Sequence, residues 1–407
     1  MALQYQETTL DNGLRIVAET DADASTAAVG FFVKAGTRDE EREVMGVSHY
    51  LEHMMFKGTE RRSADDVNRE FDEIGANYNA FTTHEFTGFY AHVLPEFLSR
   101  GVDILADILR PALREEDFNT EKGVILEEIA MYKDQPFFVV YENALEKYYG
   151  DHPMSYRVLG TEETVKALTC EQMKKYFRHR YSADNTVITL SGRLDFDRTV
   201  EEIAERCGNW QRTGATRDHR KPEYHPGIST ITDERINRAY LLMLAPAPAA
   251  ADDRRYAAAL LTRVLGESEG SRLYWALVET GLAEAAEAHY EPRDGMGDYL
   301  VFAACMPERV NEVWGIVEKE ISSLIDSLTE TDLVRLRNKL LTNVTLQSER
   351  PAGRMQRLGR RFMYFDEYAS LEDELARINA VSLQDMRDLF REYPFEPRTV
   401  VHLLPKA

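Results

Sequence analysis

Hydrophobic and polar positions change from strand spacing to helix spacing several times along the first half of the chain. Alternation over residues 14–19 and 27–34 predicts two strands that open a sheet, because successive strand side chains face opposite sides. From residue 46 to 56 the apolar positions recur with a helical period, and Lys57 and Gly58 then supply a cation and a capping glycine. Further helices are predicted at 64–74, 98–109 and 117–133, and strands at 77–82, 87–93 and 185–191. The first half thus predicts a sheet covered by helices.

The second half of the chain repeats this succession of strands and helices. Strands are predicted at 229–232, 239–245 and as a pair across 284–305, and helices at 254–265, 271–279, 310–327 and 330–348. The stretch from 210 to 227 is polar, carries two prolines and has no hydrophobic period, which is typical of a linker. The sequence therefore predicts an α+β protein of two related αβ domains, each a mostly antiparallel sheet packed with helices. We expect a first domain over residues 1–215, a linker over 216–227 and a second domain over 228–407.

Composition and charge narrow the class of protein without changing this division. The 407 residues, 43% of them hydrophobic, exceed the roughly 100–200 residues of one ordinary domain. With 49 Lys and Arg against 70 Asp and Glu, the formal net charge is -21, so we expect neither nucleic acid nor an anionic membrane as a partner. The 3 cysteines form no CxxC pair, and no leader or apolar run of about 20 residues is recognisable. We therefore expect a cytoplasmic protein.

The chemistry is concentrated in the five residues His-Tyr-Leu-Glu-His that begin at His49, within the predicted helix 46–56. At about 100° per residue, His49 and His53 project from one face one turn apart, and Glu52 lies beside them. Two neutral imidazoles in this arrangement can hold Zn²⁺ at roughly 2.0–2.1 Å. The carboxylate can take a proton from a water molecule on the metal. The His-x-x-Glu-His order, inverted relative to His-Glu-x-x-His, is a sequence pattern of zinc proteases.

A further metal ligand must come from another part of the chain, because a catalytic zinc has three protein ligands and an open position for water. The predicted helix 117–133 offers Glu121, Glu127 and Glu128. Glu121 and Glu128 are seven residues apart and share a face, whereas Glu127 is rotated by roughly 100° from Glu128. We predict Glu128 as the third ligand, with Glu121 orienting a histidine. The ligand types favour zinc, with Mn²⁺ or Co²⁺ as alternatives.

Together these residues resemble the inverted-zincin peptidases of family M16, which include pitrilysin, insulin-degrading enzyme and mitochondrial processing peptidase. The resemblance rests on the motif at His49, 74 intervening residues after it, and Glu128 within a Glu-x6-Glu helix, and it extends across most of the chain. It implies the family's small two-domain class, whose subunits pair to enclose a chamber. His49, His53 and Glu128 would then bind one zinc ion per chain, Glu52 would be the general base on zinc-bound water, and Glu121 the supporting acidic residue.

The same resemblance implies a zinc metalloendopeptidase that hydrolyses peptides or unfolded polypeptide segments bound as an added strand. Asn79, Ala80 and Phe81 lie in the predicted strand 77–82 and resemble the family's substrate-binding edge strand. The local sequence by itself also fits an ordinary strand with a polar Asn. The substrate-binding role of these three residues therefore depends on the resemblance.

One stretch of the second half departs from the family's pattern. Members that carry both half-sites have an Arg, and a Tyr seven residues later, that contact the substrate and the transition state. In this chain Leu277 and Glu284 stand at those positions. Neither side chain can donate a hydrogen bond to an oxyanion at neutral pH. We expect a homologous zinc-less subunit to supply the Arg and Tyr in a heterodimer, with a homodimer as the alternative.

Two other functions are alternatives to a general peptidase. The chain also resembles non-catalytic structural or assembly subunits of the same family, but such relatives commonly lose motif residues that are all present here. Dedicated presequence processing would require a defined cleavage motif, and the sequence provides none. The natural substrate, the cleavage specificity and the identity of the partner are not encoded in any motif.

Overall fold

Two mixed β-sheets form the framework of the computed structural model, which describes residues 3–267 and 269–406. The strands of the first sheet are β1 (Gln4–Thr9), β2 (Arg15–Thr20), β3 (Ala27–Val33), β4 (Asn77–Thr82), β5 (Thr87–Val93) and β6 (Thr186–Gly192). Their order is β1-β2-β6-β3-β5-β4, and the pairing of β2 with β6 is the parallel one in this sheet. Strand β4 therefore lies at an edge, paired with β5.

The second sheet repeats the arrangement of the first. Its strands are β7 (Gly227–Asp233), β8 (Ala239–Ala247), β9 (Ala283–Arg293), β10 (Met296–Cys305) and β11 (Thr399–Pro405). Their order is β7-β11-β8-β10-β9, with β7 and β11 parallel and the other pairs antiparallel. Because β2-β6-β3-β5-β4 follows the same succession in chain order, the two halves are repeats of one αβ unit. The predicted α+β class, with two related and mostly antiparallel sheets, is confirmed.

Helices follow the strands of both sheets. The α-helices are α1 (Val47–Met55), α2 (Ala64–Glu73), α3 (Leu98–Ile108), α4 (Glu115–Lys133), α5 (Pro136–Tyr149), α6 (Glu162–Ala167), α7 (Cys170–Arg180), α8 (Phe196–Cys207), α9 (Arg255–Gly266), α10 (Val310–Ser322), α11 (Glu330–Glu349), α12 (Pro351–Tyr364), α13 (Leu371–Ala380) and α14 (Leu383–Glu392). The helix predicted over 271–279 is present from residue 272 and takes the π-helical form over Tyr274–Val278. Within residues 3–267 and 269–406, no helix combines the length and the apolar character needed to cross a membrane.

Packing divides the chain into two compact units that are not consecutive in sequence. One unit runs from the N-terminus to Ile129 and adds Tyr156–Asp218 and Leu346–Tyr368. The other consists of Ala130–Ser155, His219–Thr345 and the chain from Ala369 to the C-terminus. Each unit therefore holds one sheet and one helical segment from the opposite half, α12 in the first and α5 in the second. The boundary between the two units after Asp218 lies inside the predicted linker. The predicted division into consecutive domains, however, places α5 in the first domain and α12 in the second.

The two exchanged helices each cover an apolar sheet face within their own unit. In the first unit, α12 buries Met355 and Leu358 in a cluster with Phe32. A Cβ at Gly359 of α12 would lie 2.3 Å from the Phe32 ring, so glycine permits this close approach of helix and sheet. In the second unit, α5 packs on β8 and β11. Both sheets have a larger hydrophobic core on the opposite face, and the exchange therefore completes the burial of each sheet.

The predicted linker is irregular in structure but not uniformly exposed. Residues 216–226 form neither helix nor strand, and β7 begins at Gly227. Arg217 is nevertheless only 8% exposed, because its guanidinium pairs with Asp39 in the same unit. The polar composition thus correctly indicated the absence of secondary structure, but it did not indicate exposure.

Candidate metal centre

Helix α1 carries the His-x-x-Glu-His motif and is held against α4 in the first unit. It begins after Gly46, where φ is 93° and a Cβ would lie 2.6 Å from the Leu159 carbonyl oxygen, so this position requires glycine. Tyr50 of α1 stacks on Phe118 of α4 with ring centroids 4.7 Å apart, and it donates a hydrogen bond to the Phe118 carbonyl. This buried contact fixes α1 relative to the helix that carries the predicted third ligand.

The structure brings the three predicted metal ligands together. His49 and His53 come from α1, and Glu128 approaches from α4. Glu128 Oε2 lies 3.7 Å from His49 Nε2 and 3.6 Å from His53 Nε2, and one ligand atom from each residue lies within 4.8 Å of the others. Atoms bound to one tetrahedral ion at roughly 2.0–2.2 Å are about 3.4 Å apart. The spacing therefore fits a single ion held by all three residues, whereas the neighbouring Glu127 is exposed.

Glu121 orients His53 and determines its tautomer. His53 Nδ1 lies 2.9 Å from Glu121 Oε1, and Lys57 Nζ lies 2.6 Å from Glu121 Oε2. Burial raises the pKa of Glu121, but the hydrogen bonds from His53 and Lys57 outweigh burial, so the net pKa is lowered and the carboxylate is ionised at neutral pH. An ionised carboxylate only accepts hydrogen bonds, so Nδ1 carries the proton. In the neutral imidazole, Nε2 of His53 is therefore the atom without a proton, and it faces Glu128.

Burial shifts the pKa of each of the three candidate ligands. It lowers the pKa of His49 to about 3, with a further contribution from His53, so the His49 imidazole is neutral at pH 7, as a metal ligand must be. Burial also lowers the pKa of His53, but the hydrogen bond to Glu121 and the charges of Glu128 and Glu52 raise it by more. Burial raises the pKa of Glu128, a shift that a bound cation would oppose.

Glu52 connects α1 to the edge strand of the sheet. Thr82, the last residue of β4, donates a hydrogen bond from Oγ1 to Glu52 Oε2 at 2.5 Å. Burial raises the pKa of Glu52 by more than the Thr82 hydrogen bond and the charge of His53 lower it, so the net pKa of Glu52 is raised. The candidate base is therefore joined by one hydrogen bond to the strand that resembles the family's substrate-binding strand.

Strand β4 places Asn79, Ala80 and Phe81 at the edge of the first sheet. Asn79 is exposed and its Oδ1 accepts a hydrogen bond from the Ala80 amide at 2.8 Å. Phe81 is half-buried and packs against Phe32, with ring centroids 6.4 Å apart. Position at an edge is what strand addition requires, and contact of these residues with a substrate stays a prediction.

The donor set of this cluster fits zinc. Two imidazole nitrogens and one carboxylate oxygen form a common set of protein ligands for a catalytic zinc, which keeps a further position for water. His49 is neutral, and Glu121 holds a proton on Nδ1 of His53, so Nε2 is the atom that binds once a cation displaces its proton. The protonation states and the spacing of the cluster therefore both suit the ion that the ligand types favour.

Lys57 and Thr82 belong to this cluster, although neither was predicted to. Lys57 follows His53 by one helical turn, and this spacing is a signal that could have placed its ammonium group beside the same carboxylate. Thr82 lies 30 residues from its partner Glu52 and carries no local signal of the contact.

Leu277 and Glu284, the positions of the missing Arg and Tyr, lie in the second unit. Leu277 is fully buried within the π-helical segment Tyr274–Val278. Glu284 is near the start of β9, and its carboxylate accepts a hydrogen bond from Arg238 Nε. Packing thus assigns Leu277 to the hydrophobic core and Glu284 to a surface ion pair, and neither position offers a hydrogen-bond donor.

These features define a class of α+β protein, built from two αβ repeats, in which an inverted His-x-x-Glu-His helix and a distant glutamate form a candidate metal site. Residues 15–162 match the family model described as Insulinase (Peptidase family M16), and residues 167–340 match the model described as Peptidase M16 inactive domain. The chain belongs to peptidase family M16, which confirms the resemblance seen in the sequence. All three predicted ligand residues lie within the first of these matches.

Curated relatives match almost the whole chain. An uncharacterized zinc protease of Streptomyces coelicolor is 32% identical over 400 residues, which cover 95% of this chain and 86% of the relative. An uncharacterized zinc protease of Bacillus subtilis is 30% identical over 402 residues, which cover 98% of both chains. The names of these relatives agree with the zinc that the donor set favours.

Solved structures share the fold over its full length. A protease from Helicobacter pylori has a TM-score of 0.90 at 19% identity, with 100% of both chains covered. A putative M16-like peptidase from Alicyclobacillus acidocaldarius has a TM-score of 0.87 at 23% identity, covering 100% of this chain and 99% of that one. At these identities the likeness establishes the two-unit α+β fold.

Proposed function

We propose that this protein is a zinc metalloendopeptidase subunit that hydrolyses peptides or unfolded polypeptide segments. The observation that carries the proposal is the convergence of His49, His53 and Glu128, with Glu52 on the same helix. A structural zinc site is almost always closed by four protein ligands, whereas three ligands with a carboxylate beside them are typical of a catalytic site. The names of the two relatives, both zinc proteases, support this choice.

In the proposed mechanism each residue of the cluster has a separate task. Zinc, when bound, lowers the pKa of a water molecule and polarises the scissile carbonyl group. His49, His53 and Glu128 hold the ion in place. Glu52 takes the proton of the attacking water and passes it to the leaving amine. Because Thr82 holds Oε2 of Glu52, the Oε1 atom is left to exchange the proton.

We propose that the substrate binds as an added strand along β4. Backbone hydrogen bonds at a sheet edge recognise an extended conformation but do not distinguish side chains. Selectivity would therefore come from pockets that receive the side chains of the substrate. Short or unfolded chains offer such a segment, whereas folded proteins have already paired most of their extended backbone. The hydrogen bond from Thr82 to Glu52 would place the end of that strand beside the candidate base.

Glu121→Gln is expected to weaken zinc binding by about 10–100-fold. A neutral amide no longer demands a proton on Nδ1 of His53, and it leaves the ammonium group of Lys57 without its partner carboxylate. Competition between the metal-free chain and a chelator of known affinity measures the change. Glu127→Gln on the exposed side of the same helix is the matched control and should bind zinc as the wild type does. Equal affinity of the Glu121 variant would show that His53 needs no orienting partner.

We propose further that a homologous zinc-less subunit completes the active form. Leu277 and Glu284 provide no donor for the oxyanion that develops on the scissile carbonyl. In a homodimer both copies would lack the Arg and Tyr pair. A heterodimer with a subunit that retains the pair is therefore the favoured assembly.

This assembly is tested with a quenched peptide library and the zinc-loaded chain, alone and together with a homologue from the same genome that carries the Arg and Tyr. Loss of one oxyanion donor costs about 10²–10³ in kcat, so the partner is expected to raise turnover by at least about 100-fold. Robust turnover by the chain alone would contradict the split site but not the zinc peptidase. Bound zinc without turnover in either sample would favour the alternative, a non-catalytic structural subunit.

A further inference from the structure

A buried charge network in the first unit connects the helix of the metal ligands with the turn after the edge strand. We call it the Arg217 network; its members are Arg38, Asp39, Glu40, Glu85 and Arg217. The side chains of Arg38, Glu85, Arg217 and Asp39 are at most 2% exposed. None of these residues was assigned a role from the sequence, and Arg217 lies in the segment predicted as a linker.

Glu40 holds the start of α1. Its Oε2 accepts a hydrogen bond from the Gly46 amide at 2.8 Å, and its Oε1 accepts one from the Ser48 amide at 2.7 Å. The first amides of a helix have no partner within the helix, and a carboxylate placed there also meets the positive end of the helix dipole. The position of Glu40 therefore fixes where α1 begins, at Val47, two residues before His49.

Arg217 fixes the position of Asp39, the residue directly before Glu40. Arg217 Nε lies 3.0 Å from Asp39 Oδ1 and Nη2 lies 2.7 Å from Oδ2, which is a bidentate pair. The same Nη2 donates to the backbone carbonyl of Glu85. A planar guanidinium with two fixed donor directions thus joins the loop that caps α1 to a second loop, and lysine could not reproduce this geometry.

The second loop is the turn that follows β4. Arg38 binds it through its backbone amide, 2.8 Å from the His84 carbonyl oxygen, and through Nη1, 2.7 Å from Glu85 Oε1. This turn begins directly after Thr82, which donates its hydrogen bond to Glu52. The Arg217 network therefore holds the start of α1 and the end of β4 in one rigid arrangement.

We infer that Arg217 is a positioning residue, which sets where Glu52 lies relative to the end of the edge strand. The inference rests on the proposed function, because that alignment matters only if β4 receives a substrate. Buried ion pairs contribute little net stability compared with apolar packing, but their directional hydrogen bonds fix a geometry. A misplacement of about 1 Å between reacting groups can cost on the order of 100-fold in rate.

The test compares the full chain with Arg217→Gln and with Arg212→Gln, an arginine five residues earlier in the chain whose side chain is 63% exposed. Amide hydrogen exchange is followed in the metal-free proteins for residues 46–55 and 83–87, with β6 as the internal reference. The constants kcat and KM are measured for the zinc-loaded proteins with the homologous partner present. Arg217→Gln is expected to raise exchange in both segments by about tenfold or more relative to β6. It is also expected to lower kcat by about 10–100-fold with KM and bound zinc nearly unchanged. Arg212→Gln should match the wild type in each measurement.

Unchanged exchange in the two segments, or a uniform rise that includes β6 with kcat unchanged, would overturn the inference, since the residue would then serve stability alone. The exchange measurement needs no activity, so a wild type that fails to cleave peptides contradicts the proposed function and is told apart from a failure of the network. If Arg217→Gln does not fold, Asp39→Asn weakens the same pair at nearly constant volume and is expected to give the same local exchange and the same fall in kcat.

Discussion

Glu52→Gln is expected to lower kcat by about 10²–10⁴-fold while the chain keeps its zinc. Glutamine has the size of glutamate, and its carbonyl oxygen can still accept the hydrogen bond from Thr82 Oγ1, so α1 keeps its place. The amide has no basic atom that could take a proton from water. Because His49, His53 and Glu128 are untouched, the affinity for the ion is preserved. The measurement is kcat on a quenched peptide with the homologous partner present, together with the zinc content of the same preparation.

Turnover and zinc content, taken together, decide the role of Glu52. Loss of zinc together with turnover would make this carboxylate a ligand or a part of the structural framework. Full turnover with zinc bound would place the base on another residue. Glu127→Gln makes the same chemical change at an exposed position of α4 and should leave both readouts at the wild-type level.

Glu128→Gln is expected to lower zinc affinity by more than about 100-fold and to remove turnover at low zinc concentration. Changing a residue that only supports a ligand lowers metal affinity by about 10–100-fold, and loss of a ligand itself should lower the affinity by more. The substitution would remove the single anionic member of the proposed ligand set and leave two imidazoles, which hold zinc less strongly than three ligands do. Chelator competition on the metal-free chain gives the affinity, and turnover is followed as zinc is added.

Glu127 again provides the matched control, because it precedes Glu128 on the same helix and is exposed. A loss of affinity in both variants would indicate a general effect of charge. Retention of zinc by Glu128→Gln would contradict the three-ligand site, and Glu121, which lies two turns earlier on the same face, would then be the first alternative ligand to test.

Local elements could be predicted where a period and a terminating residue occur together. The helix predicted over 46–56 is α1, Val47–Met55, and the strand predicted over 87–93 is β5, Thr87–Val93. The repeated order of strands and helices also predicted the two related sheets. Neither α5 nor α12 was among the predicted elements, and an apolar stripe would not in any case show which sheet a helix covers. The exchange of these helices between the two halves could therefore not be read from the chain.

In the candidate site, too, some contacts could be predicted from the sequence and others could not. His49 and His53 are one helical turn apart, so the period of the helix alone places them side by side. Glu128 was chosen by its helix face and by the family resemblance, and the structure brings it to both imidazoles. Thr82 and Arg217 lie 30 and 178 residues from their partners. Contacts over such separations depend on the order of the strands, which no local pattern encodes.

Turnover of a quenched peptide library as zinc is added stepwise to the metal-free chain, with its homologous partner present, tests the central claim most directly. One zinc per chain held by His49, His53 and Glu128 predicts that turnover rises in proportion to added zinc and reaches its plateau at one equivalent. Turnover that is already complete in the metal-free protein, or that stays absent after one equivalent has bound, would contradict the account of this chain as a zinc metalloendopeptidase subunit.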